Sequence, residues 1–453
     1  MANTIPATDL AQAPFAALEA RIAAGEARVG VAGLGAVGLP LAELMHTAGF
    51  ELSGIDPDAH KRACLAAGRA PLAHQVHLEL ESMVRSERFE AVAEPGAASG
   101  ALDVLLICVP TDLDESGEPD LGPVRKAVAQ AAPHLAPEAL VVLESTTWPG
   151  TTRQVIAAEL AAHGRRPGVD VALAFSPERV DPGRTELRSI PKLVGGLSAR
   201  EGELAAILYR RAFDDVRLVS SAEVAEAAKL LENVYRAVNI GLVNELKGAF
   251  AQQGIDIWEV LDAAASKPFG FQRFDPGPGV GGHCIPVDPS YLAWAARRAG
   301  VSTPLVELAT EINRGMPAEV ARVVKRALET RQRPVQGARL LLLGLAYKPN
   351  VDGLDHAPAL DLARELSAMG AEVRYHDPLL ARLPEGLAEE RELLGAQSVT
   401  LDRASLADFD GVLLVTAHDA IDLELVAEAA RLVVDTRGVL RERLLGDPRY
   451  VPA

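Results

Sequence analysis

The chain has 453 residues, about half of them apolar, and a formal net charge of -17. That length exceeds what one hydrophobic core organises, so several domains are expected, and the acidic balance argues against nucleic acid as a partner. Its three cysteines, Cys64, Cys108 and Cys284, show no paired spacing and offer neither a disulfide framework nor a structural zinc site, so no metal is expected.

Residues 1–27 lack the basic start and long apolar core of a signal peptide; Asp9 to Ile22 has the pattern of a short amphipathic helix. No apolar run reaches the roughly 18–20 residues of a membrane helix, so a cytoplasmic chain with no membrane contact is expected. From Arg28, short apolar runs alternate with helical stretches. Strands are predicted at Arg28–Val31, Glu51–Ile55, Val104–Val109, Leu140–Glu144 and Val171–Phe175, low in charge as strands buried on both faces are.

The first strand runs into Gly33-Leu34-Gly35-Ala36-Val37-Gly38 and then a helical stretch. Glycines there permit a tight turn, approach of backbone amides to a pyrophosphate, and packing of helix on strand. A second strand ends at Asp56, about 20 residues on, which is where a ribose-binding acid belongs in a dinucleotide fold. Asp56 would accept hydrogen bonds from the adenosine ribose and repel a 2'-phosphate, selecting NAD; otherwise Asp56-Pro57 starts the next helix. Thr111 and Thr146 follow later strands, where ligands bind, although each on its own also reads as an ordinary loop threonine.

Between Ala222 and Gln253 apolar residues recur at helical spacing in one segment that would span on the order of 45 Å. It is apolar on several sides, as helices buried within a domain or against a second subunit are, and a homodimer or higher homo-oligomer is expected. Lys229 and Asn233 stand four residues apart on one face: either a pair of oxyanion donors or a solvated lysine beside a polar neighbour. The stretch Pro276 to Pro289, with Gly281-Gly282-His283-Cys284, implies a backbone pressed close to something, and a cysteine there is read as reactive, whereas Cys64 and Cys108 are read as buried and inert. Adjacent side chains in an extended loop point apart, which disfavours a His283–Cys284 dyad. Asp288 before Pro289 fits a helix N-cap and also a group orienting a proton or water beside Cys284.

A second α/β pattern begins near Val335, with strands predicted at Arg339–Leu345, Glu372–Tyr375, Val412–Val415 and Leu432–Asp435. The expected fold is α/β: two Rossmann-like doubly wound domains joined by a long central helix. Its boundaries are an NAD-binding domain at 28–218, a helical dimerisation domain at 219–330 and a ligand-binding domain at 331–453.

Six segments in order resemble the UDP-glucose/GDP-mannose dehydrogenase family: Gly33-Leu34-Gly35 with Val37-Gly38-Leu39-Pro40, Glu144-Ser145-Thr146-Thr147 with Pro149-Gly150-Thr151-Thr152, Ser176-Pro177-Glu178-Arg179, Lys229 with Glu232-Asn233, Gly281-Gly282-His283-Cys284, and Gly344-Leu345-Ala346-Tyr347-Lys348. The resemblance implies oxidation of a UDP-sugar C6 alcohol to the uronic acid by two NAD. It makes Cys284 the nucleophile that becomes the thioester, Lys229 and Asn233 the oxyanion donors, Asp288 and Thr146 the groups that place water or take a proton, and Glu178 the residue assisting hydrolysis. Gly33, Gly35, Val37, Gly38, Asp56, Thr111 and Thr146 would contact NAD; Glu178, Arg179, Lys229, Asn233, Gly281 and Lys348 would contact the UDP-sugar. Ser176 to Arg184, followed by Ile190-Pro191-Lys192, is similar to the branch acting on UDP-N-acetylhexosamines. UDP-N-acetylglucosamine is the first expectation, with UDP-N-acetylmannosamine, UDP-N-acetylgalactosamine or UDP-glucose as alternatives. A nucleotide-sugar-binding relative of weak activity is a further alternative, because Asp355 stands where the family commonly has arginine.

Overall fold

A computed structural model describes residues 14–71, 75, 79–114, 116–179 and 187–453. The chain divides into two compact units, one of residues 1–232 with 290–299 and the other of residues 233–289 with 300–453. The expected amphipathic helix is observed as Ala16–Ala24, and the portion of Asp9 to Ile22 before residue 14 lies outside the described residues.

In the first unit, β1 (Arg28–Ala32), β2 (Glu51–Ile55), β3 (Phe89–Val92), β4 (Leu102–Ile107), β7 (Leu135–Leu143), β8 (Val171–Phe175), β9 (Lys192–Gly196) and β10 (Val216–Leu218) form one sheet, while β5 (Asp112–Leu113) and β6 (Pro119–Asp120) make a small hairpin. The order β3-β2-β1-β4-β7-β8 is all parallel and is that of a dinucleotide-binding sheet. β9 adds antiparallel to β8, and β10 lies parallel to β9. Alternate residues of β4 enter opposite layers, Val104 and Leu106 one core and Leu105 and Ile107 the other, which is why the strand reads as an unbroken apolar run.

The second unit carries β11 (Arg339–Leu343), β12 (Glu372–His376), β13 (Gly411–Leu414), β14 (Val433–Asp435) and β15 (Tyr450–Pro452), all parallel in the order β12-β11-β13-β14-β15. Leu340 and Leu342 face one core, Leu341 and Leu343 the other. The expected fold class is observed: two parallel Rossmann-like sheets, with the helix Ala222–Ala251 between them in chain order. Predicted strands land within a few residues, but β3, β9, β10, β15 and the hairpin of β5 and β6 are not among them.

The two sheets turn in the same way at the end of their first strand. Gly33 and Gly344 adopt left-handed backbones, φ 92° and 78°. Their amides bond to Ile55 and His376 carbonyls at 2.8 and 2.9 Å, and the next amides, Leu34 and Leu345, bond to the carboxylates of Asp56 and Asp377 at 2.9 and 2.8 Å. Neither glycine has room for a side chain: an added Cβ would sit 2.7 Å from the Cys108 carbonyl oxygen at Gly33 and 2.1 Å from that of Thr416 at Gly344. Gly344→Ala should therefore destabilise the second unit by about 3 kcal/mol, from backbone strain plus overpacking. Gly248→Ala, with open space at its Cβ, should not. Amide hydrogen exchange across β11 and β13 checks both; equal protection in the two variants would contradict the steric account.

Candidate active site

In the first unit the glycine turn fits a dinucleotide. A Cβ on Gly38 would approach the Gly33 carbonyl oxygen to 1.8 Å, so the helix Gly38–Thr47 starts in contact with the turn, whereas Gly35 has nothing within 4 Å and presents open backbone beside Val37. Asp56 is buried. One of its carboxylate oxygens accepts from Leu34 N and from Lys61 Nζ at 3.1 Å, the other from Asp58 N at 2.9 Å. It does not cap the next helix, since that cap is Asp58, which accepts from His60 and Lys61 amides. Thr111 donates its hydroxyl to the Thr146 carbonyl at 2.8 Å, so the structure brings these two predicted residues together through the backbone of one of them.

Thr146 begins a loop that the long helix holds in place. Glu226, fully buried, accepts from Gly150 N at 2.5 Å, Thr152 N at 2.9 Å and Thr152 Oγ1 at 2.7 Å. Burial pushes its carboxyl up to about 7 against those hydrogen bonds. Lys229, one turn on, is buried rather than solvated. Within the same loop, Trp148 packs against Trp294 and Tyr291, with ring centroids 4.6 and 6.2 Å away, and Tyr291 donates to the Asp112 carbonyl.

Glu178 and Arg179 follow β8. Arg179 pairs with Glu232 at 2.7 Å and donates to the Pro191 carbonyl, so the guanidinium expected to meet substrate is committed to protein partners. Glu178 lies 3.5 Å from the ammonium of Lys192, which also bonds to Glu144 at 2.6 Å. The segment Val180 to Arg184, part of the UDP-N-acetylhexosamine resemblance, lies outside the described residues. Cys64 is buried and Cys108 half-buried, with its thiol pushed well up by burial and then by Glu144, in keeping with inert roles.

The second unit holds the reactive-cysteine candidate. Cys284 is exposed and is the first residue of the helix Cys284–Arg298, not a loop residue. This overturns the expected start of that helix. Asp288 is not its N-cap but lies in its second turn, with Pro289 inside the helix. Pro286 falls in the first turn, where amides lack intrahelical partners, whereas Pro289 lies beyond it and costs the helix one backbone hydrogen bond, which is why the sequence places a boundary there. The consequence is favourable: Cys284 and Asp288 stand four residues apart on one face, and the positive end of the helix dipole sits at the sulfur-bearing residue. Asn233, also buried, donates to Asp288 at 2.5 Å.

The glycines before Cys284 are pinned. Gly282 N bonds to the Asp355 carbonyl at 2.8 Å, and a Cβ on Gly281 would lie 2.7 Å from Tyr347 Cβ and 2.8 Å from the His356 carbonyl oxygen. Lys348 is half-buried in the turn that follows β11. Two cations escaped notice in the sequence. Lys247 is buried with no hydrogen-bond acceptor, and its ammonium is pushed down to about 8 by burial and by Arg437. Arg437 is pushed down to about 10 by burial; it donates to the Val415 carbonyl and comes so near Gly277 that an added Cβ would meet it at 2.6 Å. Only tertiary structure reveals such a pair, since Lys247 sits on the long helix and Arg437 after β14.

Among the described residues no helix is long and apolar enough to cross a membrane, and no His, Cys, Asp or Glu group is placed to hold a metal ion. Three family models match the chain. They are described as the NAD binding domain, the central domain and the UDP binding domain of the UDP-glucose/GDP-mannose dehydrogenase family, over residues 27–213, 223–315 and 341–442. An NDP-N-acetyl-D-galactosaminuronic acid dehydrogenase of Ralstonia solanacearum is 34% identical over 422 residues, covering 91% of this chain and 96% of its own. A UDP-N-acetyl-D-glucosamine 6-dehydrogenase of Pseudomonas aeruginosa is 33% identical over 436 residues, covering 92% and 97%. The solved UDP-D-ManNAc dehydrogenase of Pyrococcus horikoshii superposes with a TM-score of 0.80 at 30% identity, over 90% of this chain and 95% of that one.

Proposed function

The chain belongs to the UDP-glucose/GDP-mannose dehydrogenase family and is an NAD-dependent nucleotide-sugar dehydrogenase; on that premise we propose that it oxidises the C6 alcohol of UDP-N-acetylglucosamine to the uronic acid through a thioester on Cys284. The observation that carries this reading is the exposed thiol at a helix start, one turn before the buried Asn233–Asp288 pair. An ordinary two-electron alcohol dehydrogenase needs no nucleophile, whereas capture of an aldehyde before a second oxidation does.

NAD, when bound at the glycine turn after β1, supplies the hydride acceptor for both oxidations. The chain's own groups do the rest. The sulfur of Cys284 adds to the aldehyde carbon, giving a thiohemiacetal whose oxidation leaves the thioester. Lys229 and Asn233 stabilise the developing oxyanion, the kind of fixed electrostatic help that dominates many active sites. Asp288 and Thr146 place water or accept the proton, and Glu178 assists hydrolysis. Gly281 lets backbone approach the substrate, and Lys348, Lys247 and Arg437 meet the anionic uridine diphosphate. The choice of an N-acetylhexosamine rests on the Ser176-Pro177-Glu178-Arg179 and Ile190-Pro191-Lys192 segments, supported by relatives whose names carry N-acetylated sugars.

Turnover of a panel of UDP-sugars should yield two NADH per sugar, with UDP-N-acetylglucosamine the best substrate and a uronate product. One NADH with an aldehyde product would overturn the thioester route, and no turnover would favour a binding protein. Cys284→Ser should stall the second oxidation. For UDP itself, calorimetry should show affinity falling as pH rises through about 8, where Lys247 loses its charge. Lys247→Met should bind about tenfold more weakly at pH 7 and lose that pH dependence; an unchanged profile would remove Lys247 from the site.

A homodimer is also part of the proposal. Leu231, Tyr235 and Leu242 recur on the long helix with exposures of 65%, 46% and 50%, an apolar stripe of the kind that marks an interaction surface. Sedimentation should give a dimer mass, and Leu231→Asp with Leu242→Asp should give monomers; a monomeric parent protein would refute it.

A further inference from the structure

Behind Glu178 in the first unit lies a buried cluster whose lysine and second carboxylate have no assigned part in the chemistry. Lys192, the first residue of β9, is 2% exposed; its ammonium donates to Glu144 at 2.6 Å and to the Pro177 carbonyl at 3.2 Å, and stands 3.5 Å from Glu178. It also lies over the rings of Tyr209 and Phe213, at 5.2 and 5.4 Å from their centroids. Glu144, directly after β7, takes a further hydrogen bond from the Tyr209 hydroxyl. Burial pushes the Glu144 carboxyl up although Lys192 opposes it, and burial likewise holds the Tyr209 hydroxyl well above its usual range, so the cluster is a strongly desolvated one.

Burying two carboxylates and an ammonium is expensive, and replacing such a set by apolar side chains is commonly neutral or stabilising. Their presence calls for a task other than stability. Solvent exposure suggests which one. The side chains of Glu144 and Lys192 are 0% and 3% exposed, that of Glu178 12%, so the cluster's outlet is the Glu178 carboxylate. One oxygen of that carboxylate accepts from Arg179 N at 2.7 Å, and the other stands at ion-pair distance, 3.5 Å, from the Lys192 ammonium.

We infer that Lys192 is a positioning residue, anchored by Glu144, that fixes the Glu178 carboxylate for hydrolysis of the thioester. The inference rests on the proposed role of Glu178. In that step water adds to the thioester carbonyl carbon and gives one proton to Glu178. The tetrahedral adduct then collapses, the carbon–sulfur bond breaks, and the leaving thiolate of Cys284 takes the proton back from Glu178. One water is consumed, a thiol and a carboxylic acid are formed, and no electrons are transferred. Both oxidations precede this step and do not use Lys192.

The test is a Lys192→Met variant mixed with NAD and UDP-N-acetylglucosamine or its 2- and 4-epimers. Two NADH per site should form rapidly, after which turnover should stall about 100-fold below the parent rate, the range lost when a general base is misplaced, with KM falling alongside kcat so that kcat/KM is little changed. Intact-mass spectrometry should find the UDP-uronyl group on Cys284. Lys192→Arg, which keeps the charge, should clear the adduct. Lys192→Gln keeps a donor toward Glu144 and decides the matter if Lys192→Met fails to fold; it too should accumulate the adduct. Equal loss of the oxidation and hydrolysis phases, or slow turnover with no adduct, would overturn the inference. Glu178→Gln separates the two proposals. If it clears the thioester normally, the role of Glu178 fails; if it traps the thioester while the Lys192 variants do not, only the role of Lys192 fails.

Discussion

Each sheet depends on a carboxylate standing at the end of its second strand and holding the amide that follows the left-handed glycine of the first. Asp56 does this for Leu34 and Asp377 for Leu345. The bond fixes the turn where a parallel sheet opens to ligands, so the rest of each site inherits its position. What differs is the second partner. Asp56 meets Lys61, a half-buried side chain, at 3.1 Å. Asp377 meets the buried His418 at 3.2 Å and takes two further amides, from Leu379 and Leu380. Burial pushes the Asp377 carboxyl up, but His418 and these amides hold it below its usual range. One geometric device thus recurs in both units, lightly partnered in the first and saturated by protein groups in the second.

The long helix works on the same principle of committing buried polar groups to named partners. Glu226 binds the Thr146 loop, and Asn233 binds Asp288. Asn244 donates to Asn313 and accepts from Gly277 N. These contacts lock the registers of the segments that bear Thr146, Asp288 and the glycine-rich stretch before Cys284. Lys247 is the exception, a buried ammonium without a hydrogen-bond acceptor, and it stands near Arg437, a half-buried second cation. Glu319 and Asp435 lie near Lys247 and offset part of the cost of its burial, as Asp435 and Asp275 do for Arg437.

Both sheets and the long helix were legible in the sequence because their residues follow strong periods, apolar runs for the central strands and a helical repeat over Ala222–Ala251. β3 and β10 escaped because edge strands bury little: Phe89–Val92 is half-buried throughout and Val216–Leu218 mostly exposed. β9 was obscured by its opening lysine, whose burial makes sense only beside Glu144. The face shared by Lys229 and Asn233 follows from spacing alone, but their burial does not. Cys284 was picked out by its glycine-rich approach, whereas its place on a helix hung on how two prolines are accommodated. Lys192, Glu226, Lys247 and Arg437 were invisible for a common reason: their meaning lies in partners dozens to hundreds of residues away.

The aromatic packing beside the Thr146 loop has a practical side. Of the three tryptophans in the chain, Trp148 and Trp294 are in contact in the first unit, while Trp258 belongs to the second. Trp148 sits in the loop that Glu226 clamps, so any rearrangement of that loop alters the indole pair and hence the protein's intrinsic emission. Reduced nicotinamide absorbs where indole emits. The chain therefore carries a built-in optical probe of the Thr146 loop, responsive by quenching and by energy transfer, with no label attached.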